Sequence, residues 1–483
     1  MVRKCLRLFL LPKKNSLCYS ERRKRLNPFQ AGRMVGTDQG RMNMKYRSAL
    51  RPMVLFLYFF IFGGIILSVS LAEAESMLDE GPVVNEKMKC LAAGTAVECL
   101  DRTGDIKAIR MADSLPEHFV PSSGNTVSTA DSRCPVYIFF DNENDAGIMY
   151  FYTESGTVVL NPFSHYLFAN NEALADISGL AGWDSSRVTT MHAMFSGTVS
   201  LPDALALKSW DTSGVTDMSF MFSGATSLMF IDVSGWDTSH VVSMSGMFQV
   251  GASYAWNGQL QEIIGLGSWD VSNVTDMTCM FYGAGQVISY DIAGWDVSGV
   301  VSMNHMFCDN FRLRSLDLSR WDVSSVKTIY CMFDDNYELR TIGDVSHWNT
   351  VSLIDAGGWL HGSESFIGDE TGTMDLPGWD TRNLKAAGKM FDSTQIRTID
   401  LTGWTFDSIT NEQWEGAGKG IYYETGNSEE RVQGLGEMFR RTKKLKVVYL
   451  SRAGMDSFNA AVERGVNTAK LWSGSRISSL TVK

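Results

Sequence analysis

Between Ser209 and Phe311 the sequence contains no Lys or Arg, while ten acids occupy the same window. Phosphate contacts need clustered cations, so nucleic acid is not expected as a partner. Histidine is scarce, with seven in 483 residues and no His-x-x-x-His pair, which removes helix-borne metal sites. The eight Cys never fall in Cys-x-x-Cys spacing, which weakens zinc and thioredoxin-like readings. A Gly-x-Ser-x-Gly elbow and a Gly-x-x-x-x-Gly-Lys phosphate loop are both missing. No catalytic residue, metal ligand or cofactor is therefore expected.

What the sequence has instead is one phrase that returns: Trp-Asp-x-Ser-x-Val-x-x-Met-x-x-Met-Phe. Its clearest copy runs from Trp210 to Phe222, and others begin at Trp183, Trp236, Trp269, Trp295 and Trp321. Degraded copies begin at Trp348, Trp379 and Trp404. The Trp-to-Trp steps are 27, 26, 33, 26, 26, 27, 31 and 25 residues. A fixed period of this length predicts a solenoid, in which each unit buries its apolar side against its neighbours. Such a core grows lengthwise, so it escapes the size limit of one globular core.

Within one unit, alternating stretches such as Ile231-Asp232-Val233 and Leu316-Asp317-Leu318 predict a short strand before each Trp. Stacked in parallel at about 4.8 Å, nine such units would extend ~40 Å. After each Trp-Asp, the positions of Val215, Met218, Met221 and Phe222 predict a short helix. Ser213 is placed to cap it, as are Ser239, Ser272, Ser298 and Ser324 in their own copies. The fold class expected is an α/β solenoid of leucine-rich-repeat type. Trp and the Met-Met-Phe trio should fill its interior, with Cys279 and Cys331 as small buried fillers.

The Asp after each Trp is expected to bond local N–H groups in a turn. A calcium ladder is the competing reading, but it lacks Gly-Gly-x-Gly-x-Asp spacing and offers one carboxylate per unit. Grouped carboxylates could also serve a glycosidase or lyase. Here they recur with the period, as structural residues do, whereas a catalytic pair would break it.

The flanks differ from the array. Residues 1–52 hold 14 Lys/Arg against Glu21 and Asp38, about +12, and the remainder is about −23. They are expected to be a disordered basic leader. The uncharged run within 53–74 is long enough to cross a bilayer. Ala72-Glu73-Ala74 favours a cleaved signal, with an uncut signal-anchor as the alternative, and Met42 or Met44 would give a leader of ordinary length. Either way the body is exported. Residues 75–134 lack clear patterning and are expected to form an irregular linker. Cys90, Cys99 and Cys134 permit at most one disulfide among themselves.

Three strand-like runs, 135–140, 147–152 and 157–160, predict a β cap over residues 135–180, ahead of the array at 181–415. Residues 416–483 are expected to form a closing unit and a tail, with no second membrane-spanning run. The 33-residue step adds Tyr254 to Gly258, and the 31-residue step Gly362 to Phe366. Added residues in repeat arrays emerge as loops, so Tyr254 and Trp256 are candidate ligand anchors. Asp217 and Asp276, in the stretch without cations, are further candidates for a charged partner. The cations Arg440, Arg441, Lys443, Lys444 and Lys446 give the far end the opposite sign.

The phrases Trp210 to Phe222 and Trp269 to Phe281 resemble the repeat of BspA-like leucine-rich-repeat surface proteins. Ile138-Phe139-Phe140, Ile148 to Tyr152 and the stretch Phe163 to Phe168 are similar to the segment that introduces the array in that family. The resemblance covers about residues 135–450. It implies an exported bacterial surface protein associated with adhesion to host proteins or neighbouring cells. No Leu-Pro-x-Thr-Gly sorting motif appears, and the shared residues build the repeat rather than a site. The expected function is a non-catalytic, monomeric binding scaffold for an extracellular protein or glycan, touching membrane only through 53–74. A structural envelope spacer and a carbohydrate-active enzyme are the alternatives.

Overall fold

The computed structural model describes residues 76–251, 258–412 and 433–483. The leader, the apolar run at 53–74, Tyr254 and Trp256 lie outside the described residues. The described residues belong to one compact unit, Ser70–Lys483. They form a mixed α/β fold with few helices and small, mostly parallel sheets, none closed into a barrel.

The array opens on a three-stranded sheet. Strand β3 (Ile148–Tyr152) pairs antiparallel with β2 (Tyr137–Asp141) and parallel with β1 (Ala108–Met111). The run at 157–160 does not supply the third strand; Val159 instead bridges Met77 and Asp184. The expected linker at 75–134 contains β1 and a helix, α1 (Gly81–Ala93). Helix α1 is fastened to the segment just ahead of the first copy by two polar side chains that are fully buried. Lys89 Nζ donates to the carbonyls of Cys99, Asp101 and Ala169 at 2.6, 2.7 and 2.8 Å. Asn85 Nδ2 donates to Tyr166 O at 2.7 Å and Ala169 O at 3.0 Å. Burial lowers the Lys89 pKa to about 8, with Cys99 and Asp101 opposing.

From there the copies pair in register. Parallel bridges join Thr190, Asp217, Ser243, Asp276, Ser302, Thr328, Asp355 and Ala386, one residue per copy. Among the described residues, the strands expected before each Trp form only before Trp236, Trp269, Trp379 and Trp404. They are β4 (Phe230–Asp232) with β5 (Glu262–Ile264), and β6 (Thr373–Asp375) with β7 (Thr398–Asp400), the latter continued by β8 (Val447–Leu450). 3-10 turns precede Trp183 and Trp210, and the 316–318 stretch offers only the bridge of Ser315 with Thr341. Helix α2 (Arg452–Glu463), N-capped by Ser451, and β9 (Thr481–Val482), which pairs with β8, close the chain.

The Met-x-x-Met-Phe segment is not a helix. The N–H groups of Met218, Phe220, Phe222 and Gly224 donate to carbonyls of Ser243, Ser245, Met247 and Gln249 on the next copy. Between them, Met221 and Ser223 bond three residues back, to Met218 and Phe220. Left-handed residues four apart turn the chain in most copies, such as Phe220 and Gly224 (φ 57° and 75°), Cys279 and Gly283 (58° and 71°), and Cys331 and Asp335 (51° and 55°), with Gly246 alone in the copy opening at Trp236. An α-helix would spend its N–H groups internally, whereas this double turn sends every second one sideways into a ladder. Left-handed placement of a non-glycine costs of order 1 kcal/mol, which the ladder bonds and the burial offset. The capping serines are reassigned too. Ser213 donates its N–H to Asp211 Oδ1 at 3.0 Å, and the same Asp-to-Ser turn recurs at Asp184, Asp237, Asp270, Asp296 and Asp322.

The interior follows the repeat. Every phrase Trp is at most 5 % exposed, and the Met and Phe columns are fully buried. Phe168, Phe195, Phe222, Phe248, Phe281, Phe307 and Phe333 stack at 5.2 to 5.9 Å between neighbouring rings. From Trp210 on, each phrase indole N–H finds a backbone acceptor in the preceding copy, as Trp236 does at Leu207 O (2.9 Å) and Trp295 at Leu266 O (2.9 Å). Trp183 meets Met111 Sδ at 3.3 Å, and the buried Trp359 N–H has no hydrogen-bond partner among the described residues. A phrase Trp thus buries its apolar body without stranding its one polar atom. Cys279 is buried in a small separate cluster with Tyr282 and Cys308, and Cys331 is buried as well. All six described cysteines are free thiols.

Candidate functional site

The residue thirteen positions after each Trp lies just past the Met-Met-Phe column. In the early copies it is Ser196, Ser223 and Gln249; in the later ones it is Asp334, His361 and Asp392. The backbone ladder sets these late residues side by side, with Asp335 N–H on His361 O at 2.9 Å and Gly362 N–H on Asp392 O at 3.2 Å. His361 Nδ1 stands 2.5 Å from Asp334 Oδ1, and its Nε2 stands 3.5 Å from Asp392 Oδ2. Burial pulls the imidazole pKa down, but the Asp334 carboxylate more than offsets this, and the net shift is upward.

Asp392 is fully buried. Arg440 Nε (2.8 Å) and Arg441 Nη2 (3.1 Å) bond its Oδ2, and Ser393 Oγ bonds its Oδ1 at 3.0 Å. Burial raises this carboxylate, yet Arg441 and Arg440 hold it below the usual range. Arg440 also meets Glu437 at 2.9 Å. Two of the five cations expected to make the far end positive are therefore spent on internal acids. In the copy before that of Asp334, burial followed by the Asp334 charge pushes Asp309 up to about 6 against a Tyr282 hydrogen bond.

A second feature comes from the 31-residue step. Phe366 and Met374 occupy the buried positions that Leu339 and Ile342 hold one copy earlier. Eight residues separate the first pair and three the second, so the five added residues lie between Phe366 and Met374, not at Gly362 to Phe366. They fold as a tight loop. Asp369 Oδ1 accepts N–H bonds from Thr371 (2.9 Å) and Thr373 (2.7 Å). Gly368 and Gly372 flank it at φ 82° and 87°, and a Cβ on Gly368 would stand 2.2 Å from Thr373 O. The loop walls a cleft of about 850 Å3 whose lining includes Arg314, Arg340, Asp344, Glu370 and Asp375. Burial, then Asp400, Asp369 and Asp344, raise the Asp375 carboxyl. The cleft thus offers donors, acceptors and both signs of charge to a polar ligand.

The residues singled out from sequence fare differently. Tyr254 and Trp256 lie outside the described residues. Asp217 and Asp276 sit half-buried on the bridge ladder, each with one oxygen bonded locally: Asp217 Oδ1 by Ser219 N–H (2.9 Å), Asp276 Oδ1 by Thr278 N–H (2.9 Å). Asp217 belongs to a chain of groups. Tyr166 OH meets His192 Nε2 at 3.0 Å, His192 Nδ1 meets Ser219 Oγ at 2.7 Å, and Ser219 Oγ donates to Asp217. With the hydroxyl proton directed to Asp217, the imidazole donates to Ser219 rather than accepting from it. This polarity is opposite to that of an activated nucleophile. Burial lowers the His192 pKa, with Asp217 opposing and His165 adding to the fall.

Sequence reasoning missed the Asp334–His361–Asp392 row because it compared the letters the copies share. Aligning the residue at one offset in every copy would have exposed it. Among the described residues no helix is long and apolar enough to cross a membrane. No curated protein sequence matches the chain. A family model described as "Mycoplasma protein of unknown function, DUF285" matches three overlapping stretches, 164–263, 253–372 and 343–416. These tile the repeat from Ser164 to Gly416, just over half of the chain, and the chain belongs to this family of repeat proteins.

Proposed function

We propose that the chain is an exported, non-catalytic scaffold, a solenoid of the BspA-like leucine-rich-repeat kind that binds an extracellular protein or glycan. The observation that carries this reading is the cleft beside the 367–373 loop. The repeat keeps its interior residues nearly constant, so selection for a ligand can act only on outward and inserted positions. The insertion between Phe366 and Met374 builds a concave, polar wall on the array. Mixed charge and backbone acceptors of this kind suit hydroxyl-rich or peptide ligands. The register of bridges and the stacked rings support the solenoid. The apolar run at 53–71 supports export, with the basic flank left behind.

The test is an array of purified extracellular-matrix proteins and glycans probed with the full chain. Saturable binding to at least one ligand, weakened by Arg340→Glu, is expected. An array with no hit, or binding indifferent to Arg340→Glu and to Asp344→Lys, would overturn the assignment of the cleft.

A further inference from the structure

We infer that Asp334, Asp335 and His361 form a site for a divalent transition metal, with Zn2+ as the best-matched ion. Each residue offers one ligand atom, and the three atoms lie within 4.8 Å of one another. Ligand atoms sharing one Zn2+ stand about 3 Å apart, so small side-chain adjustments suffice. Asp334 and Asp335 are half-exposed, while His361 is 9 % exposed. The ion would sit at the surface end of the trio, with water in its remaining positions.

A second observation points the same way. Metal-ligating histidines direct their other ring nitrogen at a carboxylate, which fixes the ring and strengthens the ligand. Asp392 lies on that side of His361, at ion-pair distance without a hydrogen bond. With Nδ1 turned to Asp334, its Nε2 faces Asp392 at 3.5 Å. Asp392 is itself immobilised by Arg440, Arg441 and Ser393. A fixed carboxylate thus already stands beside the ring nitrogen that would face away from the ion. Equivalent positions in the early copies carry Ser196, Ser223 and Gln249, none of which ligates zinc. One nitrogen and two carboxylate oxygens favour Zn2+, Co2+ or Mn2+ over Ca2+, which prefers an all-oxygen shell. Binding replaces the hydrogen shared between His361 Nδ1 and Asp334. A proton therefore leaves whenever the imidazole enters the site charged.

Titration calorimetry of the full chain with zinc chloride at neutral pH tests this. One saturable equivalent of bound Zn2+ is expected. Co2+ in place of Zn2+ should give a visible absorption band. Asp335→Asn should weaken binding at least about tenfold with an unchanged melting curve, because Asn adopts the left-handed backbone of Asp335 readily. His361→Gln should abolish the Co2+ band, and Asp217→Asn should leave it intact. The inference falls if Zn2+, Co2+ and Mn2+ all fail to bind saturably, or if binding survives both Asp335→Asn and His361→Gln. It does not depend on the extracellular ligand.

Discussion

The copies opening at Trp183, Trp210 and Trp236 and those opening at Trp321, Trp348 and Trp379 share a buried Trp column and differ just past the Met-Met-Phe positions. Both sets bury the Trp column, and each copy buries a Phe twelve residues on, except the copy opening at Trp348, where Leu360 takes that place. Past those columns, the early set places Ser196, Ser223 and Gln249, and the late set Asp334, His361 and Asp392. The shared positions hold the array together, and the unshared ones supply its chemistry. One backbone ladder serves both, so charged residues enter the late copies without disturbing the register.

The largest effect should be the same in either set. Phe222→Ala and Phe391→Ala should each destabilise by about 3 to 5 kcal/mol in chemical denaturation, since each leaves a cavity in a stacked column. A much smaller loss for one of them would show that the two interiors are not equivalent.

The second effect should separate the sets. Asp392→Asn strips the charge that Arg440 and Arg441 share and should cost about 3 kcal/mol. Ser223→Ala at the matching early position should cost under about 0.5 kcal/mol. The Asp392 cost is also pH-dependent. Its carboxyl is lowered in the fold, against burial, by Arg441 and Arg440, with His361 also facing it. The stabilisation is therefore complete above the unfolded carboxyl pKa, and it fades as pH falls through the lower folded value. Denaturation midpoints of wild type and Asp392→Asn should converge in acid.

Smaller effects test the insertion and the common turn. Gly368→Ala should cost at least about 1 kcal/mol, because its φ of 82° and the nearby Thr373 carbonyl leave no room for a methyl. Asp211→Ala, which removes the acceptor of the Ser213 N–H, should cost about 0.5 to 1 kcal/mol. The same change at Asp322 should match it, since that turn occurs in both sets.

Much of this was legible in the sequence. Trp, Met and Phe recur at fixed offsets, and burial follows from that recurrence alone. The backbone of the Met-x-x-Met-Phe segment was not legible. A spacing of three and four places one face inward in a helix, and equally in two consecutive left-handed turns. Only the destination of the Phe220 and Phe222 N–H groups decides between them. Helix α1 escaped because it belongs to no repeat and is pinned by a buried Lys89, a residue type that normally reads as surface. The His361 row escaped because its members lie 27 and 31 residues apart and no local motif spans that distance.

The sideways hydrogen bonds also bear on how such chains change over generations. Each copy presents the same donors and acceptors to the copy on either side, so a gene that loses or duplicates one copy produces a junction with no orphaned amide. Copy number can therefore drift freely, while the Lys89 clamp at one end and α2 with β9 at the other remain single and irreplaceable. Related chains should vary in length from the middle outward, and a chemical cluster such as the one at His361 should survive only where three successive late copies are inherited as a block.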